Sequence, residues 1–188
     1  MLIAMPAIVL QPHPATPCAA VHRCQVRAGL DPAGRLALEY TLEGDIDGLL
    51  VPAPAALGRT DGLWRHTCCE AFLARPGLPG YLEFNFSPSG AWAAYRFRAY
   101  REGMALAEPA RPPLVQVRRA AHRFVLSATV ELRGLVPEPA GTACRMALSA
   151  VLEDREGGLS YWALAHPPGR PDFHHGHGFA LALSPSHP

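Results

Sequence analysis

Proline and glycine interrupt this chain so often that a long helix has nowhere to form. Among its 188 residues are 20 Pro and 17 Gly. Pro removes a backbone donor and fixes φ, Gly loses the most backbone freedom on ordering, and each tends to end regular structure. Between these breaks lie short segments of strand character at 4–10, 19–27, 36–42, 67–73, 81–87, 92–99, 114–117, 123–132, 143–152, 160–165 and 179–183. Many short strands separated by turn residues predict an all-β chain: a single-domain antiparallel β-sandwich, jelly-roll-like, with two packed sheets spanning residues 1–188. Residues 53–57 have weak helical character, too short to change the class. The stretch 105–113, with three prolines, is a connection within the domain.

Bulk properties exclude several functions. At 49% hydrophobic and 18% charged, the chain is globular. A formal net charge of +1 gives no basic surface for nucleic acid. No apolar run approaches the roughly 20 residues of a membrane-spanning helix. All 17 basic side chains are Arg, so Schiff-base and phosphate-loop lysine chemistry is ruled out. Codon bias in a GC-rich genome accounts for that absence, and also for the presence of only one asparagine, Asn85. The five cysteines form no C-x-x-C pair and read as buried thiols in a reducing compartment. Residues 1–10 lack a basic leader and read as a first strand, so a cytoplasmic location is expected.

Alternation along the strands assigns faces. In 81–87, Leu82, Phe84 and Phe86 form one side, and Glu83 and Asn85 the other. Cys69, Ala71 and Leu73 suit a core, which puts Glu70 with Glu83 and Asn85. In 92–99 the apolar Ala93, Tyr95 and Phe97 are assigned to the core, leaving Trp92 and Arg96 on the polar face. Ser87-Pro88-Ser89-Gly90 reads as the turn of a hairpin.

Carboxylates, an amide and a guanidinium on one sheet face can bind neighbouring hydroxyls, and an indole can stack on a flat ligand; Trp64, Trp92 and Trp162 are the candidate platforms. Glu70 and Glu83 could also form an acid/base pair, but no nucleophile elbow or dinucleotide fingerprint accompanies them, and an enzyme is not expected. His174, His175 and His177, with His166 and Asp172, could ligate zinc, copper or nickel, making a His-rich metal-dependent enzyme a lesser alternative. A polar loop before the last strand explains the same run. Heme is the alternative cofactor, with His166 paired to Met104 or Met146 as axial ligands; the chain contains no C-x-x-C-H.

The segment Asp61-Gly62-Leu63-Trp64-Arg65-His66-Thr67-Cys68-Cys69-Glu70, with Trp64 six positions before Glu70, resembles a strand of family-nine carbohydrate-binding modules. Tyr81-Leu82-Glu83-Phe84-Asn85-Phe86-Ser87-Pro88-Ser89-Gly90 is similar to their following strand and turn. Ser160-Tyr161-Trp162-Ala163 and Pro171-Asp172-Phe173-His174 resemble their closing segment. Together they look like a bacterial DOMON-like domain related to those modules, over roughly residues 36–183. The resemblance implies a non-catalytic β-sandwich that binds a saccharide, or alternatively heme, on its concave sheet. Trp64 matches a ring-stacking indole and Glu70 a hydroxyl-binding carboxylate; Glu83, Asn85 and Trp162 match by approximate position. The site expected from all this has Trp64 and Trp162 stacking on a sugar, Glu70, Glu83, Asn85 and Arg96 bonding its hydroxyls, and His166 and His174 at the rim. No metal and no cofactor other than the heme alternative is expected. The partner is a small molecule, and oligomeric state is left open.

Overall fold

A computed structural model describes residues 6–54, 58–136 and 143–184. It is all-β. The strands are β1 (Ile8–Pro12), β2 (Val21–Leu30), β3 (Arg35–Gly44), β4 (Cys68–Ala74), β5 (Tyr81–Phe86), β6 (Trp92–Phe97), β7 (Ala105–Leu106), β8 (Leu114–Ala120), β9 (Arg123–Glu131), β10 (Cys144–Glu153), β11 (Leu159–Ala163) and β12 (Leu181–Leu183). Three single-turn 3-10 helices, at Ile46–Gly48, Leu63–Arg65 and Gly176–Gly178, are the helical elements among the described residues. None is long and apolar enough to cross a membrane. The expected helical stretch at 53–57 and the first strand expected from residue 4 fall partly outside the described residues.

All strand pairings are antiparallel. The order β8-β9-β3-β2-β1 makes one layer and β7-β6-β5-β4-β10-β11 the other, with β12 added to β10. The layers meet through β1, which pairs with β2 along Ile8–Leu10 and with β11 at Gln11 and Pro12. Their inner faces share one core, in which Val26, Leu38, Tyr40, Phe124 and Leu126 face Ala71, Phe84, Phe86, Leu148 and Trp162. Burial of each large side chain contributes about 1.5–3 kcal/mol. A polar contact crosses this core: the Tyr40 hydroxyl donates to the Glu70 carbonyl oxygen at 2.6 Å. It ties β3 to β4 at the residue whose side chain projects away from the core.

The β5–β6 hairpin corrects one face assignment. Register places Phe86 opposite Trp92, Asn85 opposite Ala93, Glu83 opposite Tyr95 and Leu82 opposite Arg96. Directly opposed residues share a face, so Trp92 and Arg96 lie on the core side, and Tyr95 and Phe97 join Glu83 and Asn85. The connection sets this parity. Ser87 N–H donates to the Ala91 carbonyl, Gly90 N–H donates to Ser87, and Gly90 adopts a φ of 91°. Before β5, Gly80 has a φ of 79°, and a Cβ there would lie 2.2 Å from the Phe97 carbonyl oxygen. Only glycine lets the chain enter β5 so close to the end of β6.

Candidate functional site

The outward face of the second layer carries the polar residues in rows across its strands. One row runs Ala93, Asn85, Glu70, Ser149, Ala163 from β6 to β11. The next row holds Tyr95, Glu83, Phe72 and Ala147. The row on the other side has Cys68, Val151 and Tyr161. Above them lies a cleft of about 480 Å³, lined by Glu70, Glu83, Val151, Met104, Arg101 and His174 and by the aromatic rings of Trp64, Tyr95, Phe97, Tyr161 and Phe173.

Of the first row, Glu70 lines this cleft, with Asn85 and Ser149 buried beside it. Glu70, Asn85 and Ser149 are at most 3% exposed, yet Glu70 Oε1, Asn85 Oδ1 and Ser149 Oγ have no hydrogen-bond partner among the described residues. Buried polar atoms are paired in the great majority of cases, and each exception costs about 1–3 kcal/mol. Three in one register row is a concentration that folding alone does not favour. Asn85 spends its amide on Glu83, donating from Nδ2 to Oε1 at 2.7 Å. Burial, then the neighbouring Glu83, pushes the Glu70 carboxyl well above the ordinary carboxylate range, with Arg101 opposing. Burial also raises Glu83, against the Asn85 hydrogen bond and Arg101.

The rim is held by a chain of contacts. Arg101 donates from its backbone N–H to the Tyr81 hydroxyl at 3.2 Å and from Nη2 to Asp172 Oδ1 at 2.8 Å. Its φ of 55° puts it in the left-handed region, the only such non-glycine among the described residues, a conformation that surrounding contacts must hold. The Tyr100 hydroxyl also donates to Asp172. Asp172 in turn accepts from the His174 backbone N–H at 3.1 Å. The Tyr81 hydroxyl also shares a hydrogen bond of 2.7 Å with His174 Nδ1. The other ring nitrogen, Nε2, faces Glu83 Oε2 at 3.7 Å. The His174 ring also packs on Phe72 and Phe97, each with centroids 5.1 Å away. Burial, then the Arg101 charge, lowers His174 to about 4, so it meets Glu83 as a neutral imidazole.

A pH prediction follows from that direction. A histidine held below its ordinary 6.5 in the folded state contributes stability that is present above 6.5 and lost as pH falls towards 4. The nitrogen shifts of His174, followed by NMR, are expected to stay those of a neutral ring down to about pH 4. Titration of His174 near 6.5 would refute the assignment.

Of the expected site residues, the structure brings together Trp64, Glu70, Glu83, Asn85 and His174. Trp64 sits on the Leu63–Arg65 turn, 38% exposed, with its ring edge-on to Tyr95 at 6.0 Å. Three residues lie elsewhere. Arg96 is on the core side of its strand and donates from Nη2 to the Leu135 carbonyl at 2.7 Å. Trp162 is 3% exposed inside the shared core, with Nε1 donating to Ser160 Oγ at 3.2 Å; its neighbour Tyr161 takes the cleft side. His166 packs against His13 at 4.9 Å and bonds the Gln11 carbonyl through Nε2 at 2.9 Å, outside the cleft. Met146 is fully buried in the core, whereas Met104 is exposed at the cleft. His174 turns into the cleft, whereas the His175 and His177 rings pack edge-on, centroids 4.7 Å apart, with His175 also edge-on to Tyr100 and its Nδ1 accepting from the His177 N–H. Among the described residues no group of three or more His, Cys, Asp or Glu is arranged to hold a metal ion.

Sequence reasoning missed Ser149, Tyr161, Tyr95, Phe97 and Arg101. A signal existed for Ser149, the one hydroxyl in the apolar run Met146-Ala147-Leu148-Ser149-Ala150-Val151-Leu152.

No family model matches the sequence, and a search of curated proteins finds no significant match. Solved structures do resemble it. A Bacteroides uniformis protein provisionally described as carbohydrate-binding superposes with a TM-score of 0.67 at 14% identity, over 97% of this chain and 87% of that one. A family-nine carbohydrate-binding module from Caldicellulosiruptor kristjanssonii in complex with cellotriose gives 0.57 at 10% identity, over 88% and 75%. A module of the same family and organism in complex with glucose gives 0.53 at 9%, over 94% and 84%. At these identities the likeness is one of fold, an all-β sandwich.

Proposed function

We propose that this chain is a non-catalytic module that binds a saccharide in the aromatic-walled cleft. The observation that carries the reading is the buried Glu70 carboxyl, partnerless at Oε1, which lines the cleft beside Glu83 and shares a register row with the partnerless oxygens of Asn85 and Ser149. Sugar hydroxyls both donate and accept, and so suit the Glu70 and Glu83 carboxyls in either protonation state. Trp64 stacks on the ring face, Glu70 and Glu83 reach its hydroxyls, and Asn85 and His174 hold Glu83 in place. The fold's occurrence in modules complexed with cellotriose and glucose supports the same ligand class. No cofactor is required.

Calorimetric titration with glucose and cellotriose tests it. Saturable binding is expected, without hydrolysis products, and Trp64→Ala is expected to weaken it by about tenfold or more, the loss of a stacked aromatic contact of ~1.5 kcal/mol. Absence of binding across a panel of gluco-, manno- and galacto-oligosaccharides would refute the proposal.

A further inference from the structure

We infer that the cleft selects a saccharide carrying a free primary amine, bound as the ammonium ion, over a neutral saccharide of the same size. The inference rests on the saccharide reading and names the ligand class within it. It comes from the charge pairing around the floor. Arg101 is the cation at the cleft, and its guanidinium is taken by Asp172 at 2.8 Å. Arg59 is likewise taken by Asp61 at 2.7 Å. Glu70 and Glu83 therefore stand without an arginine partner among the described residues, and the imidazole facing Glu83 is neutral. Two neighbouring carboxyls at the cleft thus feel the charge of Arg101 without an ion pair to it.

The walls add to this. Trp64, Tyr95, Phe97, Tyr161 and Phe173 present aromatic surface to the same space, and aromatic faces attract ammonium more strongly once water is excluded. Hydrogen-bond inventory agrees. Glu70 and Glu83, which line the cleft, can only accept when ionised. An ammonium brings three donors and no acceptor, and its charge favours the ionised carboxyls that burial disfavours. A neutral hydroxyl supplies one donor and no charge.

The test titrates the protein with a glucosamine trisaccharide, its fully N-acetylated form and cellotriose, which are matched in ring number and differ in charge. The amine form is expected to bind about tenfold or more tighter than either neutral form. Glu70→Gln and Glu83→Gln, which preserve shape, the latter leaving an oxygen for Asn85 to donate to, are each expected to bring the three ligands within about threefold of one another. Equal or tighter binding of cellotriose overturns the inference and leaves the saccharide reading standing. Persistence of the amine preference in both Gln variants also overturns it. If none of the three binds, nor any sugar of the wider panel, both readings fall together.

Discussion

Glu70→Leu is expected to raise the melting temperature of the ligand-free protein while removing saccharide binding. The carboxyl is 3% exposed, and its Oε1 has no partner among the described residues. Leucine is close in volume, and nothing in the network loses a bond: Asn85 gives its amide to Glu83, and the Tyr40 hydroxyl bonds the backbone carbonyl of residue 70. Removing a buried, partnerless polar group is worth about 1–3 kcal/mol, or roughly 2–10 °C for a chain of this size. The effect has a pH signature. Glu70 is raised in the folded state, so its protonated form contributes stability that is complete below the ordinary carboxylate range and is lost as pH rises through the raised value. The advantage of the leucine variant is therefore expected to widen from mildly acidic to neutral pH. Thermal melts at several pH values measure this directly. A variant that melts lower than the wild type throughout would show that the carboxyl is a satisfied part of the fold, and the case for a ligand above it would go.

That trade-off is the physical content of a binding site built on a sheet. Strand pairing places Asn85, Glu70 and Ser149 in one row whatever their side chains, and the protein tolerates the desolvation of that row because a large shared core supplies the stability. The contacts at the rim serve the same end. Arg101, Asp172, Tyr81 and His174 lock the segment after β11 onto the turn after β6, so the cleft is largely formed before any ligand arrives, which lowers the ordering cost of binding.

How far this was legible in the residues depends on contrast between neighbouring side chains. Along Tyr81–Phe86, apolar and polar residues alternate, so Glu83 and Asn85 could be set against Phe84 and Phe86 without coordinates. Along Trp92–Phe97 both faces are largely apolar, and hydrophobicity is silent about which one faces the core. The register of the hairpin decides, and it sends Tyr95 and Phe97 to the cleft. The same ambiguity affects Tyr161 and Trp162: two adjacent aromatics must point to opposite sides, and composition favours neither. A cleft walled by aromatic rings looks like a core in one dimension. Arg101 was hidden for a different reason, since its role depends on a left-handed backbone conformation and a contact with Asp172, 71 residues away.

The two tryptophans most readily taken for a stacking pair are expected to behave in opposite ways. Trp162→Ala should cost about 3–5 kcal/mol, the usual consequence of emptying a large aromatic site in a core. Its ring lies between the two layers with Val26, Leu148 and Ala150 in the same cluster, and its Nε1 proton is already given to Ser160. β11 is also held from both sides, by β10 and by β1, so a cavity at Trp162 weakens the junction through which the layers connect. Trp64→Ala should leave the melting temperature almost unchanged, because that ring is 38% exposed on a single-turn helix and its contact with Tyr95 is edge-on. Denaturant unfolding monitored by far-UV dichroism separates the two variants. A Trp162→Ala protein as stable as the wild type would place that indole on the ligand side after all, and a Trp64→Ala protein that unfolds would make the cleft wall part of the core.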